Sequence, residues 1–138
     1  MSDQPTPLQD LTLLGRGETR YPETPDEARL ETFPNRYPDR DYWITFVCPE
    51  FTSRCPVTHQ PDFGTITIKY IPDQRCIESK SLKLYLFAFR NHPTFHEEAT
   101  NRILDDLVRA CQPRQAIVFG DYNPRGGISI KVEATYRA

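Results

Sequence analysis

Cys55 is the residue best placed to act on a bound molecule. It lies in the irregular polar stretch PEFTSRCPVTHQPDFG, whereas Cys48 ends the apolar run YWITFVC, Cys76 precedes a helix and Cys111 falls on an apolar helical stripe. A free cysteine in an apolar setting behaves as a small hydrophobe, which is the reading for Cys48 and Cys111. Asp62 follows Cys55, with Pro56 and Pro61 between them. Fully extended, that interval spans roughly 23 Å, so the two side chains meet only if the loop turns. The pattern P-D-x-G around Asp62 is also a common turn sequence, and pattern alone leaves that reading open. Cys55 and His59 could instead be two ligands of a metal. Zinc asks for three or four, and His92 and His96 at a helix junction supply no evident second pair.

Charge offers a second set of candidates. Lys80 and Lys83 stand i, i+3 in the first turns of a predicted helix. Cations there oppose the helix dipole, which suits an anionic partner or, more simply, a solvated face. Arg125-Gly126-Gly127 is a tight turn able to bring a guanidinium and backbone amides near a phosphate. Thr94-Phe95-His96-Glu97 has capping-box form, with Thr94 as N-cap and Glu97 at N3.

These residues need elements to hold them. The 138 residues are one domain's worth. YWITFVC reads as a strand, and TITIKYI alternates Ile66, Ile68 and Tyr70 with Thr65, Thr67 and Lys69, a half-buried strand. Leu82, Tyr85, Leu86 and Phe89 set a helix over 79–91, stopping before Pro93. Ala99, Ile103, Leu107 and Cys111 set a second helix, closed by Pro113. QAIVFGDY and ISIKVEATY follow as two strands. The order ββααββ, with helices grouped between hairpins, predicts an α+β fold: an antiparallel sheet with both helices on one face. Its two open edges favour closure into a ring.

Composition narrows the function. The net charge of −2 argues against a strongly basic nucleic-acid binder. Residues 1–41 hold nine acids, five arginines and six of the thirteen prolines, so 1–40 reads as an acidic arm and 41–138 as the ordered domain. No run of 18 apolar residues reads as a membrane span. The start MSDQPTPLQD lacks signal-peptide character, and the cysteines form no CxxC pair. A cytoplasmic protein with free thiols is expected.

The string Glu78-Ser79-Lys80-Ser81-Leu82-Lys83-Leu84-Tyr85 fits the pattern E-[SL]-K-[SA]-hydrophobic-K-[LY]-[YW] at all eight positions. It resembles the signature of the NADPH-dependent nitrile reductases of queuosine biosynthesis, the 7-cyano-7-deazaguanine reductases (QueF). FTSRCPVTHQPDFG resembles the family's nucleophile-and-acid loop, FHEE its substrate-binding helix start and NPRGGI its C-terminal hairpin, so the likeness covers roughly residues 40–138. The length is similar to that of the single-module branch. The resemblance implies a tunnelling fold, assembled as two stacked pentameric rings with active sites between subunits.

It also implies roles. Cys55 would add to the nitrile carbon of 7-cyano-7-deazaguanine as a thioimide-forming nucleophile, and Asp62 would be the proton donor. Two NADPH would deliver two hydrides, and the product would be 7-aminomethyl-7-deazaguanine. His96 and Glu97, with the run Ile77-Glu78-Ser79, would bind substrate. Lys80, Lys83, Arg125 and Gly126 would meet NADPH. No metal is implied for the chemistry, no nucleic acid is a direct partner, and the protein would act in tRNA modification. Two rivals remain: a zinc-dependent cyclohydrolase or pterin-type enzyme on the same fold, using Cys55 and His59 as ligands, and a non-catalytic purine-binding member.

Overall fold

The computed structural model describes residues 20–138. The elements in chain order are β1 (Thr32–Pro34), β2 (Ile44–Arg54), β3 (Pro61–Ile71), β4 (Arg75–Ile77), α1 (Ser79–Phe87), α2 (His96–Cys111), β5 (Gln115–Arg125) and β6 (Ile128–Arg137). The four long strands form one antiparallel sheet in the order β2-β3-β5-β6. Alternation in β3 does what its sequence asks: Ile66, Ile68 and Tyr70 are fully buried, while Thr65, Thr67 and Lys69 face the other way. α2 packs on β5 and β6, with its stripe Ala99, Ile103, Leu107 and Cys111 buried in the core that the inward residues of β3 also join. α1 packs over β2 with Leu82, Tyr85 and Leu86 inward, and Phe89 follows it into the core.

Two stretches depart from the sequence reading. The Pro-rich loop after Cys48 is mostly strand. β2 passes Pro49 through a bulge between Cys48 and Phe51 and continues to Arg54, leaving only residues 55–60 as the turn to β3. A bulge tolerates proline because its extra residue is already out of the ladder. α1 also ends at Phe87 rather than near Asn91; Arg90 N–H bonds Phe87 O and His92 N–H bonds Phe89 O, the tighter i→i+3 pattern that winds down a helix before Pro93.

The acidic leader is more integrated than an arm ending at residue 40. β1 pairs antiparallel with β4, the backbone N–H of the buried Glu31 donates to Ser81 Oγ at 2.9 Å, and Glu78 N–H donates to Glu31 O at 2.8 Å. This segment covers the second face of α1, which is why Leu84, off the main apolar stripe, is buried too. Residues 1–19, the rest of that expected arm, lie outside the described residues. Among the described residues no helix is long and apolar enough to cross a membrane.

Candidate active site

β2 and β3 present Cys55 at the tip of their hairpin. Cys55 N–H donates to Gln60 O and His59 N–H donates to Cys55 O, both at 2.9 Å, closing the turn of residues 55–60. Inside it, the Thr58 amide points at Cys55 Sγ at 3.5 Å. Contacts from Thr58, through its hydroxyl first and then its amide, with the Val57 amide behind them, hold the Cys55 thiol below its ordinary value; desolvation and the nearby charge of Asp62 are smaller opposing effects. The other three cysteines go the opposite way. Burial pushes Cys48 and Cys76 up, and Cys111 up to about 12. A thiolate is the nucleophilic form, so the described structure separates Cys55 from the rest on chemistry as well as position. His59 shares the turn, but among the described residues no group of three or more His, Cys, Asp or Glu side chains is placed to hold a metal.

Asp62 is the second residue of β3, opposite Ser53 of β2, and its parity points it inward, where it is 5% exposed. A buried carboxylate needs partners. Arg125 Nη1 donates to Asp62 Oδ1 at 2.5 Å, and His96 Nε2 lies 3.4 Å from Asp62 Oδ2. Arg125 reaches this point because β5 carries a bulge after Tyr122 and then closes on β6 through Gly126 and Gly127, with φ of +60° and +79°. Two successive positive φ values make the tight hairpin turn that glycine tolerates best. The Arg125 guanidinium is held charged chiefly by Asp62, with the Cys55 sulfur a lesser contributor.

The N-terminus of α2 supplies the other wall. His96 stacks flat on Tyr122, with ring centroids 3.9 Å apart and planes 2° from parallel. Thr100 Oγ1 donates to His96 O at 2.9 Å and lies 2.8 Å from the Tyr122 hydroxyl. Burial pushes that phenol up to about 12, so it stays a donor. The capping expectation shifts by one residue: Phe95 is the N-cap, and Glu98 accepts from Phe95 N–H at 3.2 Å. Thr94 is buried with its hydroxyl turned to Phe95 O. Glu97 is thereby left exposed at the first turn, its carboxylate uncommitted to the cap.

Cys55, Asp62, His96 and Arg125 thus gather at one end of the sheet, with Gly126 in the adjoining turn and Glu97 next to His96. The signature run goes elsewhere. Ile77 is buried and its N–H takes the Tyr70 hydroxyl at 2.8 Å as acceptor. Glu78 is the N-cap of α1, its two oxygens accepting from Lys80 N–H and Ser81 N–H, each at 2.7 Å. That anion at the helix start answers the dipole cost of Lys80 and Lys83. Ser79 and Lys83 line a cleft of about 450 Å³ between α1 and β2, floored by Phe46, Leu82 and Leu86 and flanked by Arg90. Sequence reading missed Tyr122 and Thr100. Tyr122 was accessible through strand parity, two residues beyond Gly120 on the inward side of β5.

Residues 61–138 match the family model described as QueF-like protein. The chain is 54% identical over 136 residues to the NADPH-dependent 7-cyano-7-deazaguanine reductase of Neisseria meningitidis serogroup C, covering 99% of this chain and 87% of that protein. It is 58% identical over 123 residues to the enzyme of the same name from Streptococcus mutans, covering 89% and 76%, and 55% identical over 129 residues to that of Bacillus cereus, covering 94% and 78%. Among solved structures, the apo archaeosine synthase QueF-Like superposes with a TM-score of 0.60 over 69% of this chain and 91% of that one; at 20% identity it supports the fold alone. With a family model matching more than half of the chain and relatives above 50% identity over nearly all of it, the chain belongs to the QueF family, that of the NADPH-dependent 7-cyano-7-deazaguanine reductases.

Proposed function

We propose that this protein reduces the nitrile of 7-cyano-7-deazaguanine to the aminomethyl group, at the cost of two NADPH, in queuosine biosynthesis. The observation that carries the reading is the pairing of the one acidic thiol, Cys55, with the buried carboxylate of Asp62 at the tip of the β2–β3 hairpin. A nitrile is a poor hydride acceptor, and a thioimide is a better one. Asp62, paired with Arg125, takes the Cys55 proton as Sγ bonds to the nitrile carbon, and passes that proton to the nitrile nitrogen. No atom leaves in this step. NADPH supplies a hydride to that carbon in each of two reductions. Between them the C–S bond breaks, and Cys55 departs as a thiolate that the Thr58 contacts stabilise. One further proton reaches nitrogen and one returns to sulfur, so two hydrides and two protons are consumed in all.

His96 and Glu97 serve recognition. Glu97, free of the cap, offers two acceptor oxygens to the adjacent N–H donors of a guanine-like edge. His96, held flat by Tyr122, forms a rigid wall. The α1 cleft suits the anionic, partly apolar NADPH: Lys83 and Arg90 flank a floor of Phe46, Leu82 and Leu86, and Lys80 lies one turn before. Arg125, with a side chain 42% exposed, keeps a face for phosphate beyond Asp62, and Gly126 leaves the approach open. Ile77-Glu78-Ser79 acts through main chain and the Ser79 hydroxyl, because the Glu78 carboxylate is spent on the cap. That run and the Cys55 end meet across subunits in a ring of stacked pentamers. Incubation with 7-cyano-7-deazaguanine and no NADPH tests the chemistry: intact mass rises by the whole ligand, and Cys55→Ala shows no gain. An unmodified wild-type protein under saturating ligand overturns the covalent route.

A further inference from the structure

The residue before the nucleophile carries an unusual number of tethers. Arg54 N–H donates to His92 O at 3.0 Å, and Arg54 O accepts from Thr94 N–H at 2.9 Å, forming a parallel bridge with Pro93. Its side chain adds two more: Nη1 donates to His59 O at 3.2 Å, and Nη2 donates to Asn91 Oδ1 at 3.3 Å. One end of this clamp lies in the α1–α2 connection that leads into His96 and Glu97. The other lies in the Cys55 turn, on the one residue of that turn with a left-handed backbone, His59 at φ +61°. A non-glycine residue there stores strain and persists only where its surroundings hold it. His59 is also the residue whose N–H closes the turn on Cys55 O, while the preceding Thr58 presents its amide to Cys55 Sγ.

We propose that Arg54 is a positioning residue for Cys55: its guanidinium fixes the His59 carbonyl against Asn91, and so keeps the turn in the one conformation that aims Thr58 at the sulfur. Arg54 acts through the turn and never touches the substrate. It also makes the nucleophile's turn and the start of α2 a single unit, so that Cys55 and the recognition residues keep their spacing. The inference rests on Cys55 being the nucleophile, but its readout is a property of the thiol itself and does not need the nitrile reaction.

The test is the pH profile of Cys55 alkylation by iodoacetamide, followed at the Cys55 peptide by mass spectrometry, with melting temperature measured alongside. Arg54→Met is expected to slow alkylation at neutral pH about three- to tenfold, the scale of one lost hydrogen bond to sulfur, and to move the profile's midpoint upward. Arg54→Lys, which keeps one donor for the His59 carbonyl, recovers part of the loss. Adding His59→Gly to Arg54→Met also recovers part, because glycine takes the left-handed backbone without strain. If Arg54→Met does not fold, Asn91→Ala removes the far anchor of the same clamp and is expected to shift the profile in the same direction. A folded Arg54→Met, or Asn91→Ala in its place, with the wild-type profile overturns the proposal, as does a shifted profile that neither Arg54→Lys nor His59→Gly moves back. Thiol acidity lost while nitrile adduct formation stays intact would count against the nucleophile reading instead.

Discussion

Three side chains separate the chemistry into parts. Iodoacetamide at neutral pH should label Cys55 well before the other cysteines, since its thiol alone is lowered while burial raises Cys48, Cys76 and Cys111. As the pH rises above the ordinary thiol range, this selectivity should fade for Cys48 and Cys76 and persist longest over Cys111. Asp62→Asn keeps the size and the shape of this buried strand position but can neither take nor return a proton, and it leaves Arg125 without its counter-charge. The expected outcome is a folded protein whose turnover falls by orders of magnitude, read by NADPH oxidation; near-normal turnover would reduce Asp62 to an anchor for Arg125. Glu97→Gln separates recognition from capping. Glu98 is the residue that bonds back to Phe95 N–H, so the melting temperature should not move, while substrate affinity drops by about 1.5–3 kcal/mol, the scale of a lost charged hydrogen bond. Calorimetric titration and a thermal melt on one preparation check both.

At the scale of elements, the geometry of the site depends on a close approach under α2. A Cβ added at Gly120 would stand 2.6 Å from the Tyr122 ring and 2.8 Å from Thr100 Oγ1. Both neighbours are fully buried and support His96, so neither has room to yield. Gly120→Ala should destabilise by about 1–3 kcal/mol as an overpacked core does, and it should also weaken substrate binding by tilting the His96 wall. A melt and a binding isotherm test the two effects together; lost stability with unchanged affinity would detach Tyr122 from the site. The legible elements were those with a strong local period: the alternation in β3 and the α2 stripe follow from residues a few positions apart. The cap of α2 was misplaced by one because Thr94 and Glu97 fit the capping-box pattern while Phe95, which has no side-chain acceptor, does not; only the backbone, with Phe95 N–H bonded to Glu98, shows the later start. β1 was illegible for another reason. A three-residue strand has no period, and its partner lies more than forty residues away. The Arg125–Asp62 pair, 63 residues apart, needed both hairpins folded before it could be seen, whereas the nucleophile loop itself was readable by its likeness to a known motif.

At the scale of the whole molecule, two features of one protomer bear on the proposed ring. β2 and β6 are the edges of the sheet, and an open edge of ten or eleven residues is an invitation to pair with another chain. The α1 cleft beside β2 is lined by apolar groups that include the exposed Val47 and Phe87. Meanwhile the signature run at α1 and the Cys55 cluster sit in different places on the same chain. The proposed closed ring, joined edge to edge, would cover the first and would bring the α1 end of one subunit to the Cys55 end of the next. Co-expression of two inactive forms tests this directly. Cys55→Ala lacks the proposed nucleophile, and Lys83→Glu sets a negative charge where the NADPH phosphates are proposed to lie. If each site takes Cys55 from one subunit and Lys83 from its neighbour, an equal random mixture regenerates intact sites at about a quarter of positions, because both neighbours must be the right ones. Activity at limiting NADPH should then rise to about that fraction of wild type. If one protomer supplies both residues, no intact site can form from the mixture, and activity should stay at the level of the parents while the ring itself remains visible by sedimentation.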